Sequence, residues 1–472
     1  MKGRKKPMMT RIKKLFEPTD MTVGKPWASI VMFSIPMLIG NIAQQLYSTV
    51  DSIVVGHYVG DNALAAVGSA GPLFNMLLVL FVGISAGVGI MVSQYFGAKE
   101  RGELSATIGT SLTLTAIVSI LLMLVAPPVI KPMLELLNTP ASIIGDCTAY
   151  LKILMYGVAG MSFYNILSGI LRGMGDSFSA LIYLLIATVL NIILDVLFVA
   201  KFKMGVAGVS LATVIAQGVS SVMCLFKLAR MRATFDLGIK ELKMSKKHIR
   251  QIVRLGIPSG VTQLIFSSAM IVVQSLTNSF GEMFIAANVI VMRVDGFAMM
   301  PNFSFGMAMT TFAGQNIGAK KYDRVLKGAK QGTAIAVCTS AVITMIILVF
   351  GKYLMHIFTD TAELVDMSVY IMRILAVGYI AMAVTQCLAG VMRGAGDTVT
   401  PMWLSLFTTV IIRVPIAYGI SFLTRTPELP FGRFECVHLS LLITWLTGAL
   451  LHTVFYMRGH WKKLGGKEII VK

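Results

Sequence analysis

The chain has 472 residues, of which 56% are hydrophobic and only 13% charged, and its mean hydropathy is +0.78. Soluble domains carry about 25% charged residues, so this composition excludes an ordinary water-exposed globule. The formal net charge of +19 does not signal nucleic acid, because the basic residues gather at the chain start (Lys2, Arg4, Lys5, Lys6, Arg11, Lys13, Lys14, Lys25) and again between Lys227 and Arg254, as they do on the cytoplasmic side of membrane proteins.

Apolar blocks of about 20 residues with few charges read as transmembrane helices. Taken in chain order, the blocks predict twelve spans, at 27–55, 63–93, 105–127, 147–170, 178–200, 205–228, 256–280, 285–312, 332–350, 364–391, 399–422 and 438–457. The basic start precedes a segment too long for a signal peptide, so the first span is read as retained. Lysine and arginine accumulate on one side of this arrangement, which predicts a multi-pass protein of the cell (inner or plasma) membrane with both termini cytoplasmic. The expected organisation is a cytoplasmic basic N-terminus (1–26), an N-lobe of six spans (27–228), a cytoplasmic linker (229–255), a C-lobe of six spans (256–457) and a cytoplasmic C-terminus (458–472). Membrane lipids are the expected surroundings, and a monomer the expected state.

The two halves are related. QYFGAK at 94–99 recurs as QNIGAK at 315–320, and LSGILRGMGDS at 167–177 recurs as LAGVMRGAGDT at 388–398, both 221 residues apart. Ile35-Pro36 recurs as Ile257-Pro258 after 222 residues, so one gap aligns all three. Six spans per half is an even number, hence both halves enter the membrane in the same direction as parallel repeats. The fold class is therefore an all-α polytopic membrane protein of 6+6 helices, two lobes around a central cavity, and rocking of one half against the other gives alternating access.

Within this apolar chain the informative residues are polar ones at membrane depth. A charged side chain there costs at least ~2.5–3.5 kcal/mol and marks a functional site by default. Asp51 lies in the outer half of the first span, with Tyr47 one turn before it on the same face. Asn191 and Asp195 stand four apart on one face of the fifth span. By depth, Thr213 on the sixth span joins them. Tyr47, Asp51, Asn191, Asp195 and Thr213 thus form a candidate layer for ion coupling and substrate binding. Two carboxylates in a low-dielectric pocket cannot both ionise without a proton or a cation between them. The exchanged ion is therefore H+ or Na+, with Asp51, Asn191, Asp195 and Thr213 as the oxygen ligands in the sodium case. At the repeat offsets Asp51 falls on Val273, Asn191 on Ile412 and Asp195 on Ile416, so the layer is confined to the first half.

Asp295 and Arg413, at middle depths of the second half, are secondary candidates, read as an ion pair or as a second polar site; Gln44 is a third. Pro36, with Pro258 as its counterpart, is a candidate hinge, since proline removes a helical hydrogen bond and permits a bend. The repeated Arg-Gly-x-Gly-Asp segments lack the P-loop pattern and are expected to close tight inner turns through Arg172/Asp176 and Arg393/Asp397. The five cysteines are scattered and show neither a disulfide framework nor zinc spacing. No HExxH or GxSxG motif occurs and the six histidines are dispersed, so an enzyme is not expected, nor any cofactor beyond the coupling ion.

The first-helix run PMLIGN…VD…VG, the Gln-x-x-Gly-Ala-Lys loops, the repeated Arg-Gly-x-Gly-Asp turns and the 6+6 plan together resemble the multidrug and toxic compound extrusion (MATE) family over nearly the whole chain. The resemblance implies a V-shaped pair of six-helix lobes that export cationic, amphipathic drugs by H+ or Na+ antiport. It also implies an N-lobe site made of a first-helix Asp, an Asn-x-x-x-Asp pair and a sixth-helix Thr, which fall on Asp51, Asn191, Asp195 and Thr213. The C-lobe acids of the NorM-like branch have no counterpart here, where Gln263, Gln274 and Gln386 occupy the relevant spans. The pattern is closer to the DinF-like branch. A lipid-linked precursor flippase of related fold is the alternative implied, and it would require a strongly cationic cavity.

Overall fold

A computed structural model describes residues 17–137, 139–238 and 240–462. The basic cluster from Lys2 to Lys14 and the last ten residues of the expected C-terminal segment lie outside the described residues. Fourteen α-helices are described. The first half holds α1 (Pro26–Tyr58), α2 (Asp61–Ala98), α3 (Arg101–Leu136), α4 (Ile144–Tyr156), α5 (Val158–Gly173), α6 (Ser177–Asp195) and α7 (Gly205–Ala229). The second holds α8 (Lys246–Asn278), α9 (Glu282–Gly318), α10 (Tyr322–His356), α11 (Ala362–Gly394), α12 (Val399–Leu406), α13 (Arg413–Leu423) and α14 (Glu435–Arg458). Short π-helical segments, Val196–Lys201 and Phe407–Ile412, extend α6 and join α12 to α13.

Eleven of the described helical stretches are long and apolar enough to cross a membrane. The twelfth predicted span is α4 with α5, bent by 54° at a one-residue break. Gly157 sits at that break, where a Cβ would run into the Val214 side chain of α7. Several helices outrun the spans expected from hydropathy. α2 continues through the polar Gln94 to Ala98 and ends only where Lys99 turns left-handed at φ 59°. α3 runs to Leu136 through Pro127, Pro128 and Pro132; a membrane helix tolerates proline because neighbouring helices and small local adjustments satisfy the freed carbonyls.

The chain divides into two compact units. Unit 1 comprises residues 1–20 and 35–257, unit 2 residues 21–34 and 258–472. Both divisions inside a helix fall beside the paired prolines, between Ser34 and Ile35 in α1 and between Ile257 and Pro258 in α8. In unit 1, Glu103 at the start of α3 accepts from Lys247 Nζ (2.8 Å) and contacts His248 Nε2 (3.0 Å) at the inner end of α8. In unit 2, Gln315 and Gln331 accept from the backbone N–H groups of Met21 (2.8 Å) and Trp27 (3.2 Å) at the approach to α1.

Each unit is built around one close helix crossing, and the two crossings sit at equivalent positions of the repeat. In unit 1, α5 meets α2 where a Cβ on Gly169 would lie 2.6 Å from Ser85 Oγ, and one on Gly173 would lie 2.8 Å from Gly89 O. In unit 2, α11 meets α9, and Cβ atoms on Gly390 and Gly394 would strike the carbonyls of Gly306 and Thr310. Gly390 and Gly394 lie 221 residues after Gly169 and Gly173, and Gly306 lies 221 after Ser85. Small residues let backbones approach where the surrounding lipid gives no hydrophobic drive for helices to associate.

The two Arg-Gly-x-Gly-Asp turns are closed by their acids, each through a helix-capping bond. Asp176 Oδ1 accepts from Ser179 N (2.9 Å), Oδ2 accepts from Ser179 Oγ (2.7 Å), and the carboxylate stands 3.6 Å from Lys227 rather than pairing with Arg172. Asp397 Oδ1 accepts from Thr400 N (3.0 Å). Gly175 (φ +86°) and Gly396 (φ +91°) make the left-handed step that precedes each acid, which a side chain would strain.

Candidate functional site

In unit 1, α1, α4, α6 and α7 converge on one buried polar cluster. Tyr47 and Asp51, a turn apart on α1, are both buried, as are Asn191 and Asp195 on α6 and Thr213 on α7. With its amide nitrogen turned to the acids, Asn191 donates to Asp51 Oδ1 at 2.8 Å and to Asp195 Oδ2 at 3.1 Å. The two carboxyl groups are themselves within hydrogen-bonding reach of one another. Beside them, Tyr47 Oη donates to Thr213 Oγ1 at 3.0 Å. The five residues singled out in the sequence are thus brought together.

Local backbone explains part of this geometry. Asp195 is the last α-helical residue before the π-helical Val196–Lys201. A π-turn widens the helix at its end and is found mostly at functional sites. Asp195 is wholly buried, and its Oδ1 has no hydrogen-bond partner among the described residues. A buried acceptor without a donor costs about 1–3 kcal/mol, so the cluster carries one acceptor more than its own donors serve.

The spacing argument missed Tyr150 of α4. This phenol lies close enough to feel the charges of both Asp51 and Asp195 and adds a fourth helix to the cluster. Its only signal in the sequence is a tyrosine within an apolar span, and the bend at Gly157 hides which face of the span it occupies. Gln44, one turn below Ser48, is exposed and takes no part. α1 continues as a helix through Pro36.

Asp295 and Arg413 belong to unit 2 and have their own surroundings. Asp295 on α9 lies beside the Tyr379 hydroxyl of α11 and feels the charge of Arg413 at the start of α13. His438 of α14, buried, contacts Asn288 Oδ1 through Nε2 at 3.0 Å. Neither Asn288 nor His438 was evident as a site residue, since each reads as one polar side chain within an apolar block. No group of three or more His, Cys, Asp or Glu residues able to hold a metal ion occurs among the described residues.

Comparison with known proteins agrees with this architecture. The MatE family model matches the chain twice, over residues 36–197 and 258–419, each match opening on one of the paired prolines. The probable multidrug resistance protein YoeA of Bacillus subtilis is 31% identical over 407 residues, covering 84% of this chain and 88% of its own length. A second Bacillus subtilis protein, the probable multidrug resistance protein YpnP, is 28% identical over 94% of this chain and 98% of its own. Among solved structures, a crystal structure of MATE in the straight conformation superposes with a TM-score of 0.87 at 25% identity, covering 95% of this chain and 99% of that one.

Proposed function

Since the chain belongs to the MATE family, whose members are multidrug efflux transporters and not enzymes, we propose that it is a secondary active antiporter. It exports cationic, amphipathic compounds in exchange for an ion bound between Asp51 and Asp195. The reading rests on one observation above all, the buried amide of Asn191 bridging two buried carboxylates. Like charges in such contact repel strongly unless a proton or a cation joins them. The pair therefore has a loaded and an unloaded condition that differ by one charge at membrane depth. A cationic substrate and the coupling ion then compete for the same carboxylates, which is the elementary requirement of exchange.

The donor arrangement favours H+. In the orientation that serves both acids, Asn191 presents its NH2 group, not its carbonyl oxygen, and Thr213 Oγ1 already accepts from Tyr47. A sodium ion would require the amide to turn and the hydroxyl to be released. The relatives' names, probable multidrug resistance proteins, support drugs rather than lipid-linked precursors as the cargo. The bias of lysine and arginine supports cytoplasmic termini in a cell-membrane protein, and the site lies within one chain, as a monomer requires.

The test is export of a cationic dye from proteoliposomes under separately imposed gradients. A pH gradient alone should drive export, and an equal sodium gradient at symmetrical pH should not. Export driven equally well by sodium alone would overturn the proton assignment, and export driven by neither would overturn antiport itself.

A further inference from the structure

Unit 2 contains a polar pocket that the proposed ion exchange does not use. It is assembled by α9, which supplies Asn288 and Asp295 two turns apart, by Tyr379 of α11, Arg413 of α13 and His438 of α14. The charges of Asp295 and Arg413 act on each other, and that of Arg413 also acts on His438. Yet Asp295 and Arg413 form no ion pair among the described contacts, and three of the pocket's atoms are buried without a partner: Asp295 Oδ1, Arg413 Nε and His438 Nδ1. The histidine tautomer follows from its one bond. Asn288 Oδ1 can only accept, so Nε2 carries the hydrogen and Nδ1 offers a bare lone pair.

A buried acid and a buried guanidinium that stop short of one another are costly, because each loses water without gaining its counter-ion. The backbone holds them so. Arg413 emerges directly from the π-helical Phe407–Ile412, and Pro415 removes a helical hydrogen bond just after it. Irregular backbone at membrane depth persists where it is enclosed by protein or lines a cavity. Asp295 and Arg413 each keep partial exposure, so the pocket is open at one side.

We propose that this pocket recognises a zwitterionic organic substrate, its carboxylate against Arg413 and its ammonium against Asp295, with His438 Nδ1 accepting a further N–H. The three orphan atoms, two acceptors and one donor, are the complement of such a molecule. The inference rests on the export function proposed above and narrows its substrates to include amphoteric compounds.

The experiment compares dansyl-lysine, which carries an ammonium and a carboxylate beside an apolar ring system, with its methyl ester, which keeps only the cation. A purely cationic dye serves as a third probe. In the unaltered protein the zwitterion should bind at least as tightly as the ester. Arg413→Gln should raise the half-saturating concentration of the zwitterion tenfold or more and change that of the ester less than twofold. Arg413→Lys should recover part of the loss. Asp295→Asn should weaken both, since both carry the amine. Equal effects of Arg413→Gln on zwitterion and ester, or weaker binding of the zwitterion to the unaltered protein, would overturn the proposal. The binding comparison in the unaltered protein decides the matter even where a variant does not fold. Continued export of the cationic dye alongside either negative result leaves the exporter reading standing, whereas loss of export of all three probes by the unaltered protein defeats that reading itself.

Discussion

The two units share a backbone plan and differ in the chemistry placed on it. Their central crossings coincide at the repeat offset, α2 with α5 through Ser85, Gly169 and Gly173, α9 with α11 through Gly306, Gly390 and Gly394. Their polar centres do not coincide. Unit 1 collects two acids, an amide and three hydroxyls from α1, α4, α6 and α7. Unit 2 collects an acid, a guanidinium, an imidazole and a phenol from α9, α11, α13 and α14. Where unit 1 has Asp51, unit 2 has the buried Val273. Duplicated helices thus preserve the packing that holds each bundle together, while membrane-depth polar groups, which packing does not require, diverge. The difference teaches that coupling in this chain is a property of one repeat and not of the fold.

That contrast can be broken most severely by moving the acid. Val273→Asp places a carboxylate at the position equivalent to Asp51, but without a bridging amide or second acid. It should destabilise unit 2 by about 3–5 kcal/mol, the range seen when a buried charge lacks its partner, visible as a large drop in melting temperature, and should create no second coupling site. A stable variant with unchanged melting would show that the two positions are not distinguished by their surroundings. A smaller effect is expected from Asn191→Leu, which leaves both acids without the shared donor. The cost should be about 1–3 kcal/mol for stranded buried acceptors, with gradient-driven export falling in parallel. Tyr47→Phe removes only the bond to Thr213 and should cost about 0.5–1.5 kcal/mol while leaving the pH dependence of export in place.

The smallest effect concerns the linker. Asp236 accepts from Arg101 Nε (2.9 Å) and Nη2 (2.6 Å) at the head of α3. Those hydrogen bonds hold its carboxyl below the ordinary carboxylate range. The stabilisation is therefore present at pH values above that ordinary range and disappears as pH falls through the folded value. Asp236→Asn should reproduce at neutral pH the faster proteolysis of the 230–245 segment that acid produces in the unaltered protein. Identical cleavage rates at neutral pH would remove this contact from the account.

Much of this was legible in the sequence, for identifiable reasons. Lipid forces long apolar runs, so the spans and their even number per half could be read from hydropathy, and the repeat could be read because the turn chemistry of Arg-Gly-x-Gly-Asp needs a left-handed glycine and a capping acid at fixed places. Asp51, Asn191 and Asp195 stood out because polar groups at that depth are expensive. Helix ends were less legible, as with Gln94–Ala98, because polar residues at the membrane surface remain within the helix. The break between α4 and α5 is set by a tertiary contact between Gly157 and Val214 that no local signal announces. Tyr150, Tyr379, Asn288 and His438 escaped for the same reason: each is a lone polar side chain whose meaning depends on which neighbours the bundle brings to it. The pairing expected of Arg172 with Asp176 gave way to a helix cap and Lys227, because the acid lies at the first turn of α6 where backbone and hydroxyl donors are nearest.

The central claim is that Asp51 and Asp195, joined by Asn191, hold the exchanged ion in competition with the substrate. Calorimetric titration of the purified protein with a cationic dye, repeated in buffers of different ionisation enthalpy, measures protons released on binding. The account predicts net proton release from the unaltered protein near neutral pH and none from Asp51→Asn or Asp195→Asn. Equal proton release from the unaltered protein and both variants would contradict it.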